Sequence, residues 1–234
     1  MVYPAQAANA NGSKCWNWFR TQDQGRDSGE PAIIAGITRE VASQYRIDER
    51  RIFVAGLSAG AAMAVILGTT YPELYAAVGV HSGLPYAAAH DVPSAFSAMK
   101  GGAGVGAPMP FASLRAPQPQ IVYTVPTIVF HGDGDQTVAA SNGAAIVRAA
   151  VAVSEQHSLR MTTQEGVTTA GRTYSRTVFA DAGEDVVVEH WILHGAGHAW
   201  SGGSPSGSFT DSAGPDASAE MIRFFYAQKR AGTA

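Results

Sequence analysis

Apolar residues in this chain fall into two patterns, short continuous runs and runs with helical spacing. The continuous runs predict strands at Ile52–Gly56, Tyr75–His81, Thr127–His131 and Val186–Leu193. The other pattern predicts helices from Glu30 to about Tyr45, Ala59 to about Thr70, Ser141 to about Val153, and Ala217 to Gln228. Strands that alternate with helices indicate an α/β fold, with a mainly parallel sheet and flanking helices.

Weaker patterns complete this outline. They predict a hairpin over 159–166 and 172–180 and a short helix over Val92–Lys100. We expect one catalytic domain over 1–234, because no linker or repeat divides the chain. Residues 83–120 are a candidate lid or rim, with a plain surface loop as the alternative.

Composition limits the partners and the compartment. The 234 residues carry a net charge of −3 without a basic run, which argues against nucleic acid and anionic membranes as partners. No apolar run is long enough for a membrane span, and the start, Met1–Gln6, has no signal-peptide pattern. The single cysteine, Cys15, excludes an intrachain disulfide, so it is a buried apolar residue, an intermolecular disulfide partner or a thiol whose partner was lost.

The segment Gly56-Leu-Ser-Ala-Gly60 joins a predicted strand to a predicted helix. Glycines on both sides of Ser58 permit a sharp turn that exposes its hydroxyl, as nucleophilic catalysis requires. The amide of Ala59, the first of the helix, could then stabilise an oxyanion. The alternative is an ordinary serine N-cap after a tight turn.

Two candidate catalytic carboxylates lie in the segment His131-Gly-Asp-Gly-Asp135, which follows the third strand. Open α/β sheets place their sites at the carboxyl ends of strands, so a side chain here could orient a catalytic imidazole. Asp135 is favoured, because it lies further from the strand and Val138 can pack beneath it. Asp133 is the competitor, with an Asx-turn as its structural explanation.

The candidate general base lies in the segment His194-Gly-Ala-Gly-His198-Ala-Trp200, which follows the last strand. A histidine in such a glycine-rich loop can reach the serine, so His198 is the candidate base, and the chain order Ser, Asp, His is typical of α/β-hydrolases. His190, His194 and His198 are spaced like metal ligands on a helix. Because they follow a strand and no further ligand joins them, we expect no metal.

Six segments together resemble the polyhydroxybutyrate depolymerase-like esterases of the α/β-hydrolase superfamily, which are related to feruloyl esterases. The segments, in family order, are Cys15–Phe19, Asp27–Pro31, Gly56–Gly60, His81–Gly83, His131–Asp135 and Gly197–Gly203. The resemblance implies Ser58 as nucleophile, Asp135 as orienting acid and His198 as base. It also implies ester hydrolysis without a cofactor. Relatives are mostly exported, which implies secretion, with a cytoplasmic location as the alternative.

The start of the chain departs from this family. The family's upstream strands and its His-Gly-Cys loop, which gives a second oxyanion amide and a cysteine partner, have no match here. The resemblance therefore implies an N-terminally truncated α/β-hydrolase fold in which Val2–Pro4 is a strand end. It leaves Cys15 free or intermolecular and the nucleophile strand at an open edge. An open apolar edge favours pairing with another chain, so we expect a homo-oligomer.

Aromatic residues are the candidate substrate contacts. Trp200, Trp16, Trp18 and Tyr3 are the four candidates. Packing beneath the site is the alternative for Trp16 and Trp18. The expected function is a serine esterase acting on polyhydroxyalkanoate polyester or short-chain esters. The alternatives are a feruloyl or aryl esterase and a catalytically weak or non-catalytic fragment.

Overall fold

The computed structural model describes residues 1–101, 125–154 and 159–230. Eight strands occur in these ranges, β1 Phe53–Leu57, β2 Ala77–His81, β3 Thr127–Gly132, β4 Arg160–Val167, β5 Thr173–Ala180, β6 Val186–Leu193, β7 Trp200–Ser201 and β8 Thr210–Asp211. The α-helices are α1 Gly29–Gln44, α2 Ala59–Thr70, α3 Val92–Met99, α4 Ser141–Ser154 and α5 Ala217–Ala227. Of the candidate lid, residues 102–120 lie outside the described residues.

Six strands form one sheet in the order β1-β2-β3-β6-β5-β4. The first four of these are parallel, as the continuous apolar runs predicted, and β4 and β5 form the predicted antiparallel hairpin beside β6. The carboxyl ends of β1, β3 and β6 therefore lie at the same edge of the sheet. All three loops that carry the candidate site residues begin there.

Alternate side chains of the parallel strands pack against helices on opposite faces of the sheet. Val129 packs with residues of α2 and α4 on one face, whereas its neighbours Ile128 and Phe130 pack with α5 on the other. Helix α2 is buried along most of its length because α1 covers the side that faces away from the sheet. This burial on two sides explains why α2 is apolar without a polar stripe.

The sequence misjudged the beginning of the chain. Val2–Pro4 is exposed and belongs to no strand, so the expected strand end is not present. Cys15 is exposed with a free thiol, which contradicts its interpretation as a buried apolar residue. The short strands β7 and β8 were not predicted, because two residues are too few for a periodic pattern. No helix in the described ranges is long and apolar enough to cross a membrane.

Candidate active site

Ser58 occupies a strained turn between β1 and α2. Its backbone has φ 56° and ψ −118°, outside the regions that residues with a Cβ prefer. Its amide donates to the carbonyl of His81 over 2.9 Å, which ties the turn to β2. Although Ser58 is at the N-cap position, its hydroxyl makes no capping hydrogen bond. The Ser58 hydroxyl therefore does not cap the helix and is available for other chemistry.

Gly56 makes the turn possible by a close approach of backbone. A Cβ at this position would lie 2.2 Å from the carbonyl carbon of Gly60, too close for any side chain. We expect Gly56→Ala to lower the free energy of unfolding by at least about 2 kcal/mol. Gly60→Ala is the matched control, since a Cβ there meets no atom within 4 Å. Urea unfolding of both variants measures this, and equal destabilisation would contradict it.

Asp135 and His198 form a direct pair. Nδ1 of His198 lies 2.7 Å from Oδ2 of Asp135, whose side chain is fully buried. The other oxygen, Oδ1, accepts from the amides of Thr137 and Val138, at 2.8 and 2.9 Å. Burial alone would raise the pKa of Asp135, but the bonds from His198 and these amides outweigh it and lower the pKa. An ionised Asp135 keeps the proton of His198 on Nδ1 and leaves a lone pair on Nε2, which can accept a proton.

The pair forms because the loop after β6 crosses closely over the loop after β3. A Cβ at Gly132 would lie 2.2 Å from the carbonyl oxygen of Ala196, so only glycine permits this crossing. Val138 is completely buried in the core, and its amide donates to Asp135. In the described ranges no hydrogen bond joins the Ser58 hydroxyl to His198. Such contacts often tighten only when substrate binds.

Asp133, the competing carboxylate, pairs with a different histidine. Its Oδ2 lies 2.8 Å from Nδ1 of His194, and its Oδ1 accepts from the amide of Gly195. Nε2 of His194 lies 2.8 Å from the hydroxyl of Ser175. Serine, histidine and aspartate are thus aligned a second time, in a cluster that the sequence did not reveal because Ser175 lies within β5 rather than in a recognisable motif.

This second cluster lacks the features of a nucleophile. The Ser175 hydroxyl donates to Glu165 over 2.7 Å, and a hydroxyl has only one proton to give. His194 therefore cannot take that proton. Ser175 also lies inside the regular strand β5, with no helix N-terminus after it to hold an oxyanion. We therefore interpret the cluster as a clasp between β5 and the loops that follow β3 and β6.

The predicted oxyanion donor and the predicted substrate contacts differ in how exposed they are. Ala59 begins α2, so its amide is among the first-turn donors that a helix leaves without an intrahelical acceptor. Trp18 is buried in the core beside α1 and α2, and Trp16 is half-buried against it, which agrees with the packing alternative. Tyr3 is 81% exposed and touches Met1.

Trp200 is engaged within the protein. Its ring stacks on His81 at a centroid distance of 5.2 Å, and its indole N–H donates to Ser218. A further aromatic residue, Phe209, was not singled out from the sequence. It is 70% exposed, has φ 56°, and its carbonyl accepts from the amide of Trp200. Phe209 is therefore the more accessible aromatic side chain on the segments that follow His198.

The histidines of the metal alternative have separate surroundings. His194 pairs with Asp133 and His198 with Asp135, whereas His190 lies within β6. Among the residues that the structure describes, no group of three or more His, Cys, Asp or Glu side chains could hold a metal ion.

Burial of two histidines makes stability sensitive to acid. Desolvation lowers the pKa of His81 to about 3 and that of His190 to about 4. The unfolded chain, with histidine pKa values of about 6.5, binds more protons below that pH, so the stabilisation is complete above about pH 6.5 and is lost as pH falls. We expect the free energy of unfolding to fall by roughly 2–4 kcal/mol between about pH 7 and about pH 5.

Urea titrations at the two pH values measure this loss, and His190→Asn should reduce it. A free energy of unfolding that is flat or higher at the lower pH would contradict the prediction. Lowered carboxylate pKa values, such as those of Asp135 and Glu189, act in the same direction but only at lower pH, near their usual range.

The chain is similar in sequence to several known esterases. The family model "Esterase PHB depolymerase" matches residues 1–173, which include Ser58 and Asp135 and end before His198. Poly(3-hydroxyalkanoate) depolymerase C of Paucimonas lemoignei is 31% identical over 205 residues, 85% of this chain and 47% of that protein. Probable acetylxylan esterase A of Aspergillus fumigatus is 30% identical over 152 residues, 61% of this chain and 39% of that protein. The chain thus spans less than half the length of these curated relatives.

Solved structures share the fold. Acetyl xylan esterase from Aspergillus awamori superposes with a TM-score of 0.64 at 20% identity, over 92% of this chain and 73% of that chain. A PHB depolymerase complexed with an R3HB trimer superposes with a TM-score of 0.52 at 16% identity, over 78% of this chain and 53% of that chain. With the sheet order above, these matches confirm the α/β-hydrolase fold.

Proposed function

This chain belongs to the PHB depolymerase family of esterases, as its motifs suggested, and we propose that it is a serine esterase with Ser58, His198 and Asp135 as its catalytic triad. The observation that carries the proposal is the 2.7 Å contact between Nδ1 of His198 and the buried Oδ2 of Asp135. The strained Ser58 turn, at the same edge of the sheet, supports it.

In the proposed reaction, the Ser58 hydroxyl attacks the ester carbonyl and its proton passes to Nε2 of His198. The negative charge on the carbonyl oxygen is stabilised by the amide of Ala59, and the positive charge on the imidazole by Asp135. Collapse of the intermediate breaks the ester bond, and His198 returns the proton to the leaving alcohol. Water, deprotonated by His198, then attacks the acyl carbonyl, and His198 returns that proton to the Ser58 oxygen as the acid leaves. No step uses a cofactor.

We propose polyhydroxyalkanoate polyester or short-chain esters as the substrate. Two observations on relatives support this choice. The curated depolymerase relative covers 85% of this chain, and a solved depolymerase of the same fold is complexed with an R3HB trimer. The acetylxylan esterase relatives favour a second candidate, a short acyl group on a carbohydrate. A feruloyl or aryl ester is the remaining alternative, since a feruloyl esterase is also among the similar proteins.

A substrate panel tests the proposal. The purified chain is assayed for p-nitrophenyl butyrate hydrolysis, clearing of polyhydroxybutyrate suspensions, and release of acetate from acetylated xylan or of ferulate from methyl ferulate. We expect hydrolysis of p-nitrophenyl butyrate and of the polyester. If the protein prefers acetylated xylan or methyl ferulate, that ester takes the place of the polyester as the proposed substrate. No hydrolysis of any ester would contradict the activity and leave the non-catalytic alternative.

We further propose that residues 1–234 form one catalytic domain that acts outside the cell, as the family resemblance implies.

We also propose that the protein is a homo-oligomer, and the free edge of the sheet supports this. In the described ranges, β1 pairs only with β2, and its central residue Ala55 is exposed. Such an edge can add a strand of a second copy. We expect light scattering at micromolar concentration to show a dimer or larger species, and a clean monomer would contradict the oligomer.

A further inference from the structure

His81 contacts both the serine turn and the histidine loop. It is the last residue of β2, the strand next to β1. Its carbonyl accepts the amide of Ser58 over 2.9 Å. Its imidazole, at the other end of the residue, reaches the segment that follows His198, where Nε2 lies 3.0 Å from the amide nitrogen of Ser201. One buried residue therefore links the strand that carries the nucleophile with the loop that carries the base.

The contact with Ser201 shows which nitrogen of the His81 ring carries the proton. A backbone amide can only donate, so Nε2 of His81 must carry a lone pair and the ring proton must be on Nδ1. Nδ1 lies 3.2 Å from the hydroxyl oxygen of Ser82, which can accept a hydrogen bond from it. The residue is completely buried, and desolvation lowers its pKa to about 3. The ring is therefore neutral at neutral pH, as the contact requires.

The surroundings of the ring fix its orientation. It stacks on Phe130 of β3 at 5.8 Å and on Trp200 at 5.2 Å, with interplanar angles of 9° and 28°. The segment that it holds is further secured by Ser201, whose hydroxyl donates to the carbonyl of Pro215. The ring is thus fixed between the sheet and the base loop, with its acceptor directed at the amide three residues beyond His198.

We propose that His81 is a positioning residue, which holds the His198 loop at the distance from Ser58 that proton transfer requires. This inference rests on the proposed function. It explains why a buried polar ring, and not an apolar side chain, ends the apolar strand β2. Errors of about 1 Å in the placement of a catalytic group can cost on the order of a hundredfold in rate.

The test compares two replacements of His81. His81→Phe keeps a flat ring for stacking and removes the acceptor. His81→Gln keeps an acceptor, because its amide oxygen reaches about as far as Nε2. We expect kcat for p-nitrophenyl butyrate, per active site counted with a fluorophosphonate, to fall about 10- to 100-fold in His81→Phe with KM changed less than about threefold. In His81→Gln, we expect kcat within about fivefold of wild type. His190→Phe, the same replacement at a half-buried histidine of β6, is the matched control and should keep kcat within about twofold.

A folded His81→Phe protein with kcat within about twofold of wild type would overturn the inference, as would a His81→Gln protein no better than His81→Phe. Failure of the proposed function looks different, because wild type and Ser58→Ala would then hydrolyse the ester equally. Should His81→Phe not fold, amide hydrogen exchange in the wild-type protein decides. The Ser201 amide should exchange as slowly as amides of β2, and exchange at the rate of an unprotected peptide would overturn the proposal.

Discussion

Ser58→Ala should lower kcat/KM for p-nitrophenyl butyrate by about 10⁴-fold or more, because no other described serine combines a positive φ with a helix that begins at the next residue. Its turn has φ 56°, its hydroxyl is free of helix capping, and a helix begins at the next residue. Removing one member of a catalytic triad usually leaves only the modest acceleration that binding and oxyanion stabilisation provide. Steady-state kinetics on the purified variant measure the loss.

Ser175→Ala is the matched control for this prediction. Ser175 lies 2.8 Å from His194, which is paired with Asp133, but its hydroxyl donates to Glu165. We expect this variant to keep activity within about threefold of wild type. A large loss in Ser175→Ala with full activity in Ser58→Ala would mean that the second cluster is the catalytic one. Circular dichroism should show that both variants are folded.

Asp135→Asn should lower kcat by about 10³- to 10⁴-fold, whereas Asp133→Asn should cost less than about tenfold. Both residues follow β3 and both accept a hydrogen bond from a histidine Nδ1, so the replacements are closely matched. They differ in the histidine. An amide at position 135 can donate to Nδ1 of His198, which places the ring proton on Nε2, where a lone pair is needed. At position 133 the change affects only His194 and its clasp.

The kcat values of the two variants, measured above about pH 7, decide between the carboxylates. Equal losses would mean that the Asp133 clasp is as important to catalysis as the triad, and a larger loss in Asp133→Asn would reverse the assignment. Thermal unfolding of both proteins should accompany the kinetics, because Asp135 is buried and Asp133 is not.

Much of the fold could be predicted from the sequence because its sheet is covered on both faces. Continuous apolar runs are typical of strands that are buried on two sides, and they identified β2 and β3 closely. Helix α2 was predicted within its observed bounds, since Ser58 and Pro72 delimit it. The short strands β7 and β8 were not predicted, because two residues are too few to show a periodic pattern.

The candidate site could be predicted only in part, because local patterns reveal single positions but not the contacts between distant loops. Ser58, Asp135 and His198 stand in recognisable turns after strands, and local patterns reveal such positions. The sequence favoured Asp135 over Asp133, but which histidine each carboxylate contacts depends on how the two loops cross in the folded chain.

Packing positions were less predictable. Composition alone does not separate a buried tryptophan such as Trp18 from one that binds substrate. The contact of His81 with Ser201 joins residues 120 positions apart, which no local pattern could indicate.

The central claim is that Ser58 is the nucleophile of an esterase, and trapping the acyl-enzyme tests it most directly. The protein is mixed with p-nitrophenyl butyrate, quenched in acid within the first turnovers, digested, and its peptides are sequenced by mass spectrometry. We predict one butyryl group on Ser58, and none in Ser58→Ala. A butyryl group on Ser175 or on the exposed thiol of Cys15 in place of Ser58, or ester hydrolysis with no acylated peptide, would contradict the account.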